Sequence, residues 1–321
     1  MTGFFGVLGS MLPSILMIVA PIFIAAIGGM ICERSGVVNI ALEGLMAFGA
    51  MAAASAHTLL ETRAGPFSIS AALLAAAAVG GLFSLIHAFA SITLKADQVI
   101  SGTGINLLAS GITVFLCQIF FQQERTAPFK LGMKPGLLPG WPVFRGLHQI
   151  LPRWVNETYP TALIALAVLI LSWFVLYKRP WGLRLRSCGE HPQAAASAGI
   201  NVIRIRYIAV IISGVLAGLA GACLVLTQTI QFTVNTINGK GFIALAAVSF
   251  GRWLPLGVLG SSLLFGTSAA LAVYIVNISF LKFLPPEFFN ALPYIITLVT
   301  LVIFSGKDYA PRASGQPYEK G

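Results

Sequence analysis

The clearest chemistry in this sequence lies in the stretch Gly189-Glu190-His191-Pro192-Gln193-Ala194-Ala195-Ala196-Ser197-Ala198-Gly199-Ile200. It reads as one short helix. Pro192 suits the first helical position, Glu190 stands at the positive N-terminal end, and Gly199 can close the C-terminus. Ala194, Ala195, Ala196 and Ala198 give it small faces, and Glu190 is an anchor that can pair with a basic residue. Residue types of this kind dock against a partner; they do not break bonds. The helix sits in a break that holds Lys178, Arg179, Arg184, Arg186, Arg204 and Arg206, six of the twenty Lys and Arg residues, between two long apolar runs. These arginines are expected to set topology and bind lipid headgroups.

A second set of polar residues falls inside apolar surroundings. Asn39 and Glu43, four apart, would share one helix face. They could form a polar pair facing a translocation path, or a helix start with Asn39 as the cap. Asn106 could face the same path or form an interhelical amide bond. Thr227, Gln228, Gln231, Asn235 and Asn238 could guide a solute or form an exposed loop.

Motifs that are missing narrow the function. No G-x-x-x-x-G-K-[ST] loop occurs; Gly239-Lys240-Gly241 lacks both the upstream glycine and the following Ser or Thr, so ATP hydrolysis is not expected of this chain. There is no HExxH and no GxSxG, and the four histidines lie far apart. Cys32, Cys117, Cys188 and Cys223 form no CxxC pair, which indicates neither a disulfide framework nor a zinc site. An enzyme is not expected, nor any cofactor or metal. Only Glu43 approaches a charge deep in a span, so an ion-coupled transporter has little support.

The elements that position these residues are membrane helices. The chain is 57% hydrophobic and 9% charged, against roughly 25% charged in a soluble domain. Continuous apolar runs near the roughly 20 residues of a bilayer crossing predict an all-α, polytopic transmembrane helical bundle. The basic break 178–206 adds one cytoplasmic helix suited to docking, a coupling helix if the resemblance below holds. Spans are expected at 12–30, 39–56, 68–90, 98–120, 159–177, 207–228, 255–277 and 291–305, with 241–251 as a half-helix or tilted segment; eight to ten crossings follow. The glycines of the segment Gly214, Gly218 and Gly221 are expected to allow close helix packing. If 178–206 is cytoplasmic and 241–251 crosses, then 31–38, 91–97, the turn at Arg252 and the tail 306–321 share its side. That side carries twelve Lys and Arg residues and the other eight, five of them in the proline-rich extracytoplasmic loop 121–158. The +10 net charge is thereby accounted for without nucleic acid.

Three segments then carry a resemblance. Residues 33–49, from Glu33-Arg34-Ser35-Gly36 to Phe48-Gly49, residues 98–111, and residues 189–200 resemble the branched-chain amino acid and simple-sugar permease superfamily of ABC transporters, and most of all its nucleoside-type permeases. The block Gly239 to Val248, followed by Gly251-Arg252-Trp253-Leu254-Pro255-Leu256-Gly257, agrees. The family's Glu-Ala-Ala…Gly signature is kept in part: Glu190 is separated from Ala194-Ala195, while the spacing to Gly199 holds. The resemblance implies a single permease domain over 1–321 in a bacterial inner membrane. It also implies an importer with a separate ATPase subunit contacted by Glu190, Pro192, Ala194, Ala195 and Gly199. The further partners are a second homologous permease, identical or not, and an extracytoplasmic solute-binding protein or lipoprotein. The implied solute is small and polar; nucleosides match best, with riboflavin and simple sugars carried by relatives.

Overall fold

The computed structural model describes residues 4–65, 67–130, 132–133, 157–274, 288, 291, 295, 299 and 309–319. Among these residues regular structure is helical throughout. Ten helices follow in chain order: α1 Phe4–Glu33, α2 Leu42–Ala64, α3 Phe67–Ala88, α4 Gln98–Phe121, α5 Thr161–Lys178, α6 Pro180–Glu190, α7 Pro192–Ser197, α8 Val202–Leu224, α9 Lys240–Phe250 and α10 Pro255–Tyr274. Short π turns extend α3 over Phe89–Thr93 and α8 over Val225–Thr229. Five described segments are long and apolar enough to cross a membrane, in α1, α3, α4, α5 and α8, and α9 and the start of α10 are shorter apolar helices. Most of the expected span 291–305 and most of the loop 121–158 lie outside the described residues.

Helix α1 is the most deeply buried of the candidate spans: 83% of its apolar window is buried, against 67% for α8, 22% for α4 and 17% for α5. An all-round apolar helix can stand in either place, because lipid and protein interior are equally apolar. Beside α1, helix α8 crosses α2 and α3 at glycines. A Cβ at Gly49 would overlap the Gly218 backbone, one at Gly218 the Ala76 carbonyl, one at Gly80 the Gly214 carbonyl, and one at Gly221 the Met46 carbonyl. The expected close packing at Gly214, Gly218 and Gly221 is thus present, and its partners are α2 and α3. Phe48 stacks on Phe83 beside it, ring centroids 3.8 Å apart.

Helix starts are fixed by side chains where the sequence supplies them. Asp97 Oδ1 accepts the N–H groups of Val99 (2.8 Å) and Ile100 (2.9 Å) to begin α4, and Asn201 Oδ1 accepts Arg204 N–H (3.0 Å) to begin α8. Three expectations are corrected. Helix α2 runs from Leu42 to Ala64, so Asn39 precedes it and does not share a helix face with Glu43. Asn39 Oδ1 instead accepts Ala41 N–H (3.1 Å), a local turn that competes with helix. The stretch 189–200 is two helices, not one: α6 ends at Glu190 and α7 begins at Pro192, hinged at His191 (φ −143°, ψ 82°), because proline disfavours helical geometry in the residue before it. The span expected at 207–228 begins at Val202 and takes in Arg206, which is 1% exposed rather than at the headgroups.

Candidate coupling surface and polar cluster

Helix α7 buries Pro192 and Ala195 and exposes Gln193, Ala194 and Ser197, followed by exposed Ala198 and Gly199. Of the residues expected to touch an ATPase, Ala194 and Gly199 therefore present themselves outward. Pro192 and Ala195 seat the helix, and Glu190 is half-buried at the end of α6. The C-terminus of α7 is a Schellman motif: Gly199 N–H donates to Ala196 O (2.9 Å) and Ile200 N–H to Ala195 O (3.0 Å). Gly199 holds φ +81° with open space around a would-be Cβ, so Gly199→Ala meets only the left-handed backbone penalty. A loss of about 1 kcal/mol is expected, read as a small fall in melting temperature, and a fall as large as that from core overpacking would contradict this geometry.

The two short helices are tied to the bundle at Gly189. A Cβ there would overlap Arg34 O, so α6 packs directly on the turn after α1. Arg34 donates from Nε (3.0 Å) and Nη2 (2.8 Å) to Trp253 O, and Trp253 Nε1–H donates to Glu33 Oε2 (2.6 Å). Burial lowers the pKa of Arg34 from its ordinary value, and the neighbouring Tyr177 hydroxyl and Glu190 carboxylate partly oppose this. Trp253 and Arg252 both adopt φ +53°, a strained pair at the turn between α9 and α10.

The C-terminal segment completes the surface. Ala313 N–H donates to Gly189 O (2.9 Å) and Gly315 N–H to Gly36 O (3.3 Å). Arg206 donates from Nε to Ser35 O (3.2 Å) and from Nη1 to Gln316 O (3.1 Å). Tyr309 lies under the Arg252 guanidinium (4.6 Å), and Lys95 pairs with Glu319 (3.5 Å). A recess of about 600 Å³ opens between Glu190 and the segment Tyr309–Ser314. The segments expected to share one side (31–38, 91–97, 178–206, the Arg252 turn and the tail) are thus joined on one face of the molecule.

Asn39, Glu43 and Asn106 each engage a neighbouring element. Asn39 is fully buried, and its Nδ2–H donates to Ser213 Oγ of α8 (2.9 Å). Asn106 Oδ1 accepts Gly44 N–H (2.8 Å) and its Nδ2–H donates to Ile40 O (3.0 Å), so α4 holds the first turn of α2. Glu43 accepts Gly239 N–H and Gly241 N–H, both at 2.7 Å, and so caps α9 from a different helix. The first turn of any helix leaves N–H groups without partners, and a carboxylate there also meets the favourable end of the helix dipole. A Cβ at Gly241 would strike Glu43 Cα, so glycine is required for this approach. In the polar run, Thr227 Oγ1–H donates to Cys223 O (2.6 Å) and Gln228 Nε2–H to Met17 O (3.0 Å). Beyond it, Phe129 N–H donates to Ile230 O (2.9 Å) and Thr126 N–H to Phe232 O (3.1 Å).

Sequence reasoning missed the junction of Glu33, Arg34 and Trp253, the burial of Arg206 and the docking of residues 309–319. The aromatic Trp253 beside Arg252 and ahead of Pro255 was the available signal for the first; the tail carries none. Among the described residues no group of three or more His, Cys, Asp or Glu side chains could hold a metal ion.

Comparison with known proteins bears on this arrangement as a whole. A family model described as the permease component of the branched-chain amino acid transport system matches residues 11–301. The chain is 42% identical to the guanosine ABC transporter permease protein NupQ of Bacillus subtilis over 315 residues, 98% of each chain. It is 40% identical to the nucleoside ABC transporter permease protein NupC of Lactococcus lactis over 302 residues, covering 94% of this chain and 93% of the relative. An inward-facing structure assigned to the metal-chelate type of ABC transporter shares the fold, with a TM-score of 0.53 and 15% identity over 91% of this chain and 86% of that one. The polytopic helical bundle, the family model and the full-length likenesses agree: this multi-pass membrane protein belongs to the branched-chain amino acid transport system permease component family.

Proposed function

We propose that this chain is the membrane-spanning permease subunit of an ATP-binding-cassette importer that moves a nucleoside into a bacterial cell. The observation that carries the reading is likeness over nearly the whole chain, 42% and 40% identical, to permeases of guanosine and nucleoside ABC transporters. The face bearing α6, α7 and the tail is cytoplasmic, and there an ATPase subunit docks on α7. A second, homologous permease and an extracytoplasmic solute-binding protein or lipoprotein complete the machine.

The geometry supports a mechanical route for the stroke. Movement of α6 and α7 is passed at Gly189 to Arg34, and the Arg34 guanidinium grips the Trp253 carbonyl at the foot of α9. The other end of α9 is held by Glu43 of α2, and α2 in turn by Asn106 of α4. Interfaces packed this closely repack in discrete steps rather than deform smoothly, so a push at one end can re-aim α9. Asn39, Glu43 and Asn106 thus set the walls of the translocation path by positioning backbone.

Glu190→Lys is the direct test. Reversing the charge beside α7 should lower nucleoside uptake at least about tenfold, equivalent to about 1.4 kcal/mol of lost docking. Membrane insertion should stay at its wild-type level. Unchanged uptake in that variant contradicts docking at this helix.

A further inference from the structure

A groove of about 780 Å³ separates α6 from the beginning of α8, within the roughly 300–1,000 Å³ of small-molecule sites. Arg184 lines it from α6 and Arg204 from α8, with Asn201 between them; Trp181, Leu183 and Ile208 supply apolar wall. Two arginines thus line one cavity from two elements, and among the described lining residues none is acidic. Neither arginine forms an ion pair among the described residues. Asn201 spends its amide oxygen on the start of α8, which leaves its amide nitrogen as a further donor.

The level of the groove relative to the bilayer is marked by the neighbouring end of α5. There Lys178 lies over Trp173 (5.4 Å), Arg179 over Phe174 (4.8 Å) and Arg186 over Tyr177 (5.0 Å). A band of aromatic rings and cations at the end of a span is the signature of the headgroup region. Leu183 is 64% exposed and Ile203 43% exposed at this level, so the rim is apolar where acyl chains begin.

We infer that this groove is a binding site for one anionic phospholipid, its phosphate and headgroup held by Arg184, Arg204 and Asn201 and its upper acyl chains laid along Leu183 and Ile208. Basic pockets beside membrane helices select anionic headgroups in this way, and each arginine is expected to favour the anionic lipid about fivefold, the equivalent of about 1 kcal/mol. The site adjoins Ala198 and Gly199 at the end of α7.

Native mass spectrometry on the full-length chain, supplied with equal phosphatidylglycerol and phosphatidylcholine, tests it. Wild type should retain one phosphatidylglycerol preferentially, and excess inorganic phosphate should not displace it. Arg184→Gln with Arg204→Gln should reduce that preference at least tenfold, Arg184→Lys with Arg204→Lys should keep most of it, and Arg125→Gln, outside the groove, should leave it unchanged. Matching melting temperatures establish that the variants are folded. Equal retention of the two lipids, displacement by phosphate, or undiminished preference in the glutamine pair would overturn the site. So would a glutamine pair that keeps its lipid but loses co-purifying ATPase, which would make the groove a protein-docking surface.

Discussion

Gly218→Val should abolish the folded, monodisperse protein. Gly218 stands where α8 meets both α2 and α3: its own Cβ would overlap Ala76 O, and the Cβ position of Gly49 falls on its backbone. Overpacking a core normally costs about 1–3 kcal/mol because side chains can shift. Here the obstructing atoms are backbone, which cannot rotate aside, so the helices must separate and forfeit the packing that holds a bundle together in lipid. Gly218→Ala should lie between, with a marked fall in melting temperature. Gly104→Ala on exposed α4, where nothing lies within 4 Å of the new Cβ, should be neutral or stabilising, since alanine favours helix over glycine by about 1 kcal/mol. Fluorescence size-exclusion profiles and thermal melts separate the three. A Gly218→Val protein that elutes and melts like wild type would mean that the helices do not cross at this residue.

Glu43→Gln should leave the protein folded and bound to its ATPase while reducing transport roughly tenfold to a hundredfold. The carboxylate now accepts two N–H groups from the first turn of α9, at Gly239 and Gly241. Glutamine has one acceptor oxygen, and its NH₂ group would face the second N–H donor. Hydrogen bonds to charged groups contribute about 1.5–3 kcal/mol each, so the loss of one is enough to free the start of α9. The contrast with Glu190→Lys is the informative part. The Glu190 variant should lose productive contact with the ATPase at the surface, whereas the Glu43 variant should keep that contact and fail to convert it. Uptake measured beside co-purified ATPase distinguishes the two. Wild-type uptake kinetics in Glu43→Gln would remove this cap from the transport mechanism.

How far the sequence revealed these features depended on the range of the forces involved. The apolar runs announce membrane helices because any crossing segment must satisfy its backbone internally. They do not rank them: α1 and α5 are both strongly apolar, yet 83% of the α1 window is buried and only 17% of the α5 window, a difference that depends on which helices pack against each. Glu43 was visible as a costly charge in apolar surroundings, and it does have a specific partner. That the partner is the backbone of Gly239 and Gly241, some two hundred residues away in sequence, leaves no periodic trace. Asn39 misled because a four-residue spacing assumes helix at both positions, and its own side chain makes a turn instead. Pro192 starts a helix, as its residue type predicts, and the same proline holds His191 out of helical geometry and so divides α6 from α7. The charge of Arg206 points to the surface; Ser35 O, Gln316 O and the Tyr318 ring approach its guanidinium where it is buried, all of them contacts distant in sequence.

The most direct measurement is uptake of radiolabelled nucleosides into proteoliposomes that hold this chain with its co-purified ATPase, a second permease if one accompanies it, and the solute-binding protein. Accumulation is expected only with hydrolysable ATP on the side where the ATPase sits, and it should survive collapse of proton and sodium gradients. Accumulation that continues without the ATPase and vanishes with an ion gradient would contradict the assignment and identify an ion-coupled transporter instead.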